Sequence, residues 1–152
     1  YDILNLLVHS DIFYTSLFTD HNTNRAKGVA CTDTLFGIAG IVNEMLVYSD
    51  RSTIELFPAL SSRIPKGKVC GLMTRAGVRI DSLEWCINTG TEGLKTDMKD
   101  GFYIELKITA LRDTEFGLIL KNENFNEMSK EDKSLFNQNI KLKSGEEYAI
   151  LL

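Results

Sequence analysis

The chain has 152 residues, of which 43% are hydrophobic and 25% are charged, the composition of an ordinary soluble globular protein with one domain, or one domain and part of another. Its 17 basic and 21 acidic residues give a net charge of −4, so we expect no nucleic-acid partner, because phosphate binding needs clustered Lys and Arg. No apolar run in the sequence approaches the ~18–20 residues of a membrane-spanning helix, and we expect no membrane span.

The first fifty residues carry apolar side chains at helical spacing. Residues 2–18 have them three and four positions apart, which predicts one or two helices. The polar segment 19–27 predicts a loop. A second helix is expected over residues 34–48, with Thr32 or Asp33 as its N-cap.

The second predicted helix is apolar around its whole circumference. Only Asn43 and Glu44 interrupt the apolar surface in its middle. A helix that is apolar on every side must be buried on every side. We therefore expect residues 1–50 to pack within a larger helical assembly, or within a homo-oligomer that covers the same surface.

After residue 50 the pattern changes to short runs rich in Val, Ile, Phe and Tyr between turn-forming residues, which is typical of strands. A short amphipathic segment at 130–136 predicts one or two helical turns. Near-regular strand spacing favours an antiparallel β-sandwich over βαβ units. The sequence thus predicts an α+β chain with helices in residues 1–50 and a β-sandwich in residues 51–152. The predicted strands are 53–57, 68–74, 78–88, 102–111, 115–121, 140–142 and 148–152.

Asp33 is the first candidate functional residue, because it stands where a polar loop meets an apolar helix. Two compatible roles are open: a helix N-cap, and a carboxylate that orients a partner side chain at the rim of a helical cavity. His21, in the polar loop, is a candidate ligand contact. Neither His9 nor His21 has a second His or Cys three or four positions away, so we expect no metal site and no other cofactor.

The three cysteines are Cys31, Cys70 and Cys86, and none belongs to a C-x-x-C pair. We interpret them as buried free thiols. The first residue is Tyr1 rather than Met, which predicts either a trimmed chain or a piece of a longer protein. The sequence leaves open whether that protein is extracellular or cytoplasmic.

Two stretches, taken in order, carry a family resemblance. The first is DTLFGIAGIVNEML at 33–46, and the second runs through IELFPAL at 54–60, IPKGKVCGL at 64–72 and RAG at 75–77 to Trp85. This order resembles the C-terminal part of glycoside hydrolase family ninety-five, the α-L-fucosidases of the 1,2-fucosidase type. Its members carry D-x-N-F-G and E-M-L on one helix, followed by L-L-P-A-L-P, W-P-x-G-x-V-x-G-L and R-G-G-F-x-V-D.

The resemblance implies an (α/α)₆ barrel whose terminal helices are residues 1–50, followed by the β-sandwich. It also implies cleavage of terminal α-L-fucosyl bonds with inversion, by a Glu acid and an Asn that activates water. Asp33 matches the family Asp that polarises this Asn, and Leu35 stands where the family usually has Asn. His21 is a weak match to a family histidine and is the candidate substrate-binding residue.

The acid Glu and the activating Asn lie upstream in the family, so we expect the isolated chain to be inactive. Its expected partners are the rest of the barrel and a fucosylated oligosaccharide substrate. The alternative is a non-catalytic carbohydrate-binding or structural β-sandwich module. A binding module needs exposed aromatic rings on one face, and after Pro58 the chain offers four phenylalanines, Trp85, Tyr103 and Tyr148.

Overall fold

Helix α1 spans Thr32–Leu46 in the computed structural model, which describes residues 32–87, 102–125 and 128–152. The helix begins and ends two residues before the predicted 34–48, and Asp33 lies in its first turn. It ends early because Val47 and Tyr48 pair with the following strand instead of continuing the helix. The helices predicted in residues 2–18 and the loop over 19–27 lie outside the described residues.

The chain divides into two compact units, Tyr1–Glu44 and Met45–Leu152. The division falls inside α1, a few residues before the predicted boundary after residue 50. In the first unit, α1 is the one described helix, so the described residues contain no (α/α)₆ barrel. The apolar side chains of Ile41 and Val42 in α1 are 46% and 36% exposed.

The second unit contains two β-sheets. The four-stranded sheet has the order β1-β2-β7-β8, and the second sheet has the order β3-β5-β6-β9 with β4 added beside β5. A short 3₁₀ helix at Glu123–Phe125 and helix α2 at Lys130–Phe136 connect β7 to β8. The strands are β1 Val47–Ser49, β2 Thr53–Leu56, β3 Lys66–Val69, β4 Leu72–Met73, β5 Val78–Ile87, β6 Phe102–Ala110, β7 Thr114–Leu120, β8 Gln138–Leu142 and β9 Glu147–Leu151.

The two sheets enclose one hydrophobic core, an arrangement compatible with a β-sandwich. Alternate residues of the long strands enter it. In β6, every second side chain from Phe102 to Ala110 is buried in the core, and the side chains between them, such as Lys107, lie on the opposite face. The prediction of purely antiparallel sheets is wrong at one pair. Strands β2 and β7 run parallel, with Thr53 opposite Gly117, because the chain crosses to the other sheet and back between them.

An aromatic cluster occupies one part of the core. The ring centroids of Phe57 and Trp85 lie 5.3 Å apart in an edge-on arrangement, and those of Phe57 and Phe125 lie 5.4 Å apart in a stacked one. Phe57 has φ of 56°, a left-handed conformation that is costly for an aromatic residue. The sequence therefore places its most central aromatic ring on a strained backbone.

The turn at residues 57–60 caps the end of α1 that belongs to the second unit. The backbone N–H of Phe57 donates to the carbonyl of Leu46 at 2.7 Å, and that of Ala59 donates to the carbonyl of Met45 at 3.2 Å. The side-chain amide of Asn122 donates to the carbonyls of Phe57 and Leu60 at 2.7 and 3.2 Å. The last carbonyls of a helix need such partners, so this turn completes the helix.

The prediction of buried cysteines is wrong for Cys70. Its thiol is free and exposed, because the residue stands at the break between β3 and β4, where Gly71 has φ of 74°. The predicted single strand over 68–74 is divided at this point. Cys86 is a free thiol of intermediate burial, and Cys31 lies outside the described residues.

Candidate functional site

In the second unit, Met45–Leu152, which we call the β unit, the Trp and Phe side chains lie in the core, whereas Tyr48 of β1 is 41% exposed. Trp85 is 4% exposed, and its indole N–H donates to the backbone carbonyl of Ile64 at 3.2 Å. These rings are therefore not available for stacking against a sugar. The four phenylalanines after Pro58 are all buried: Phe102, Phe116, Phe125 and Phe136.

Tyr103 and Tyr148 are half-buried, and both hydroxyl groups are engaged within the protein. The hydroxyl of Tyr103 donates to Glu105 at 3.2 Å, and burial, together with this carboxylate, raises the pKa of Tyr103. The hydroxyl of Tyr148 accepts from the side-chain amide of Gln138 at 2.9 Å. Neither tyrosine is a freely exposed platform.

The outer face of the five-stranded sheet, the side turned away from the core, is polar in its middle, and the apolar side chains of Met73 and Leu151 are also exposed on it. Three strands contribute to it in register. Arg79 of β5 lies opposite Thr109 of β6, and Thr109 lies opposite Glu147 of β9. Two residues along, Lys107 of β6 lies opposite Ala149 of β9. These residues form a polar strip across the middle of the sheet.

Asp81 is held within this strip by two partners. One carboxylate oxygen accepts from the hydroxyl of Thr109 at 2.6 Å, and the other accepts from the Nε–H of Arg79 at 2.6 Å. The hydrogen bond from Thr109, followed by that from Arg79, lowers the pKa of Asp81 despite partial burial. Asp81 is therefore an ionised carboxylate with a fixed orientation.

A β-bulge brings Asp81 into this position. The pairing of β5 with β6 shifts between Ile80 and Ser82, so that one extra residue stands on β5. The alternation of buried residues in β5 shifts by one position at the bulge. The even-numbered Val78 and Ile80 are buried before it, and the odd-numbered Leu83 is buried after it. Asp81 and Ser82 are both half-buried between these two phases.

A groove of about 320 Å³ follows the strip between β5 and β9. Its floor is formed by the small side chains of Thr109 and Ala149 on neighbouring strands, and longer charged side chains surround them. The groove combines donors and acceptors with a small apolar floor. Its lining side chains on the outer face are Arg79, Asp81, Lys107, Thr109, Glu147 and Ala149.

Two further ion pairs lie on the same face. Lys107 contacts Glu105 at 2.5 Å, and Lys68 contacts Glu84 at 3.0 Å. The hydrogen bond from Lys107 lowers the pKa of Glu105, and the one to Glu84 raises the pKa of Lys68. Because these side chains are solvent-exposed, we assign the pairs little stabilising energy; their effect is to keep the face electrically balanced.

The sequence-predicted site residues, Asp33 and His21, belong to the first unit, Tyr1–Glu44. Asp33 lies in the first turn of α1, and His21 lies outside the described residues. Arg79, Asp81 and Thr109 were not predicted. A signal for them exists in the sequence, because the apolar alternation of VRIDSLEWCI slips by one residue at Asp81 and Ser82.

The described residues contain no group of three or more His, Cys, Asp or Glu side chains that could hold a metal ion. Over the same ranges, no helix is long and apolar enough to cross a bilayer. The chemistry visible in the β unit is therefore that of hydrogen-bonding and ion-paired side chains on a sheet surface.

Comparisons with known proteins give no assignment. No protein-family model matches the sequence, and no curated protein matches it. The resemblance to the fucosidase family thus rests on the motifs quoted above and on nothing beyond them.

Proposed function

We propose that this chain is the C-terminal part of a fucosidase-like glycoside hydrolase, with Asp33 as a positioning residue and the β unit as a supporting domain. The observation that supports it most is the order of elements. The DTLFGIAGIVNEML segment lies in α1, and the segments at 54–60, 64–72 and 75–77 follow it as the first strands and turns of a two-sheet β unit.

Helix α1 supports the proposal in a second way. Ile41 and Val42 are exposed in this chain, whereas a helix apolar on all sides is stable only when covered. In the proposed enzyme the remaining helices of the barrel cover it. The two internal glycines, Gly37 and Gly40, would meet no atom within 4 Å if each carried a Cβ, which leaves room for close approach by a neighbouring helix of the barrel.

In the proposed mechanism, Asp33 accepts a hydrogen bond from the amide that activates water. A glutamic acid elsewhere protonates the leaving oxygen from the other face of the bond. We expect the 152-residue chain alone to be inactive, because one carboxylate cannot serve both faces.

The β unit is proposed to be structural rather than a sugar-stacking module, since its Trp and Phe side chains are buried. Within this unit, the backbone N–H groups of Phe57 and Ala59 cap the last carbonyls of α1. A binding role that uses no aromatic platform is considered separately below.

The test is an assay of the natural gene product on an aryl α-L-fucoside. We expect a product well above 17.1 kDa that releases the aryl alcohol, with activity lost in Asp33→Asn. Glu123→Gln removes an exposed carboxylate in the β unit and should leave the rate unchanged. A product of about this chain's size, a longer product inert on the fucoside, or an active Asp33→Asn variant would overturn the proposal.

A further inference from the structure

The groove on the outer face owes its shape to side-chain size. Thr109 and Ala149 occupy diagonal positions on β6 and β9, with Ala149 opposite Lys107 and Thr109 opposite Glu147. The two small residues leave a depression that the longer Arg79, Lys107 and Glu147 surround. Ala149 is exposed, so the floor of the groove is open to solvent.

The lining carries both signs of charge, and this limits the class of ligand. An anion entering the groove would meet the carboxylates of Asp81 and Glu147. A metal ion would meet the cationic groups of Arg79 and Lys107. Arg79 is paired with Asp81 at 2.6 Å, and Lys107 is paired with Glu105 at 2.5 Å. Such a balanced lining suits a neutral ligand that both donates and accepts hydrogen bonds.

Arg79 and Asp81 present donors and acceptors side by side. The contact with Asp81 uses the Nε–H of Arg79, and within the described ranges its two terminal amino groups make no hydrogen bond. Both oxygens of Asp81 are held in place by Thr109 and Arg79, and each retains a further lone pair. Adjacent hydroxyl groups of a sugar ring offer the complementary pattern.

We propose that this groove binds a neutral saccharide through its hydroxyl groups, with Arg79 and Asp81 as the hydroxyl-binding pair. The methyl group of Ala149 contacts the apolar C–H face of the sugar, and Glu147 accepts from a hydroxyl at the other wall. The site contains none of the residues proposed for hydrolysis, so it is a surface binding site and not a catalytic one. Without a stacked aromatic ring, we expect a dissociation constant on the order of millimolar.

The test is a titration of the uniformly ¹⁵N-labelled full chain with methyl α-L-fucoside and, separately, with lactose. We expect at least one of these neutral sugars to cause saturable shifts of the backbone amides of Thr109, Glu147 and Ala149. The same experiment with sodium phosphate and with calcium chloride should leave these amides in place. Saturable shifts there with either salt, or none with either sugar, would overturn the proposal.

Two variants locate the binding. Ala149→Met fills the floor of the groove from an exposed position, and Arg79→Met removes the donor; each should weaken sugar binding about tenfold. Leu151→Met is the matched control, because Leu151 is exposed on the same strand and face but does not line the groove. Unchanged affinity in both groove variants, or an equal loss in the control, would place the sugar elsewhere and overturn the assignment.

The outcome is separable from that of the proposed hydrolysis. Binding is measured as amide shifts in this chain, whereas hydrolysis is measured as alcohol released by the longer gene product. A fucoside that binds here without being cleaved supports the groove alone, and failure to bind leaves the hydrolytic proposal to its own assay.

Discussion

The side-chain amide of Asn122 donates a 2.7 Å hydrogen bond to the backbone carbonyl of Phe57, which joins residues 65 positions apart in the chain. Phe57 has a left-handed backbone, and its N–H caps the carbonyl of Leu46 at the end of α1. One amide therefore helps to hold a strained residue, a turn and a helix end in place.

Replacing Asn122 with alanine should destabilise the protein by about 2 kcal/mol, because the carbonyls of Phe57 and Leu60 lose their side-chain donor in a part-buried site. Urea denaturation measures the loss. Asn43→Ala, at an exposed position of α1, should change the free energy of unfolding by no more than about 0.5 kcal/mol. Equal effects of the two substitutions would contradict the role given to Asn122.

The left-handed backbone of Phe57 predicts which of two substitutions at this position gives the more stable protein. Both Phe57→Ala and Phe57→Gly lose a fully buried ring, at a cost of about 3–5 kcal/mol. Since φ is 56° at this position, the glycine variant should be the more stable of the two by about 1 kcal/mol.

Phe116 is the matched control for this comparison, because it is buried in β7 and is not among the described residues with positive φ. There the alanine variant should be the more stable one, since glycine weakens a strand. Thermal unfolding of the four variants checks both orders. If the alanine variant is the more stable one at both positions, the backbone of Phe57 is unstrained.

Thr109→Val should raise the pKa of Asp81 toward its ordinary value of 3.8, because the hydroxyl of Thr109 is the largest cause of the lowered pKa. A carboxyl group whose pKa is lowered by folding stabilises the protein above its unfolded pKa, and this contribution is lost as the pH falls through the folded pKa. The wild type should therefore lose stability on acidification below about pH 4, and the variant should lose less.

Carboxyl-carbon NMR titration measures the pKa of Asp81 directly. Glu105 serves as an internal control, because its pKa is lowered chiefly by Lys107 and should be the same in both proteins. An unchanged Asp81 titration in Thr109→Val would refute the assigned cause.

Gly67→Ala should destabilise the β unit by about 1–3 kcal/mol, because the new methyl group would overlap the buried indole ring of Trp85. Trp85 is the only tryptophan of the chain, so its fluorescence emission reports the displacement. In Gly40→Ala the new methyl group meets nothing within 4 Å, and the emission should match that of the wild type. A Gly67→Ala protein with unaltered emission and stability would be inconsistent with this packing.

The long strands could be predicted from sequence because one face of each is buried. In β5 and β6, alternation located Val78–Ile87 and Phe102–Ala110 to within one residue at each end. Strand β1 was missed, because Val47 continues the apolar run of α1 and only its pairing with Leu56 makes it a strand. The local sequence pattern carries no information about pairing with a residue so far along the chain.

The groove was harder to predict for a related reason. Arg79, Asp81 and Thr109 belong to two strands and come together through a bulge and a cross-strand register. Their sequence positions have no motif spacing. The left-handed Phe57 was likewise hidden, since no rule of composition places a large aromatic residue in that conformation. Asp33 was singled out by its position before an apolar run, and its proposed role stays a prediction.

The parallel pairing of β2 with β7 has a consequence for the order in which this protein can fold as it is synthesised. Until Thr114–Leu120 has been made, β2 has only the three-residue β1 as a neighbour in its sheet, and Asn122 emerges later still. The four-stranded sheet and the turn that closes α1 must therefore wait for the last third of the chain, while β3, β4 and β5 can pair earlier. Closing such distant contacts is slow and leaves a strand edge exposed in the meantime, so nascent chains that stall before residue 114 should be the species most prone to aggregate.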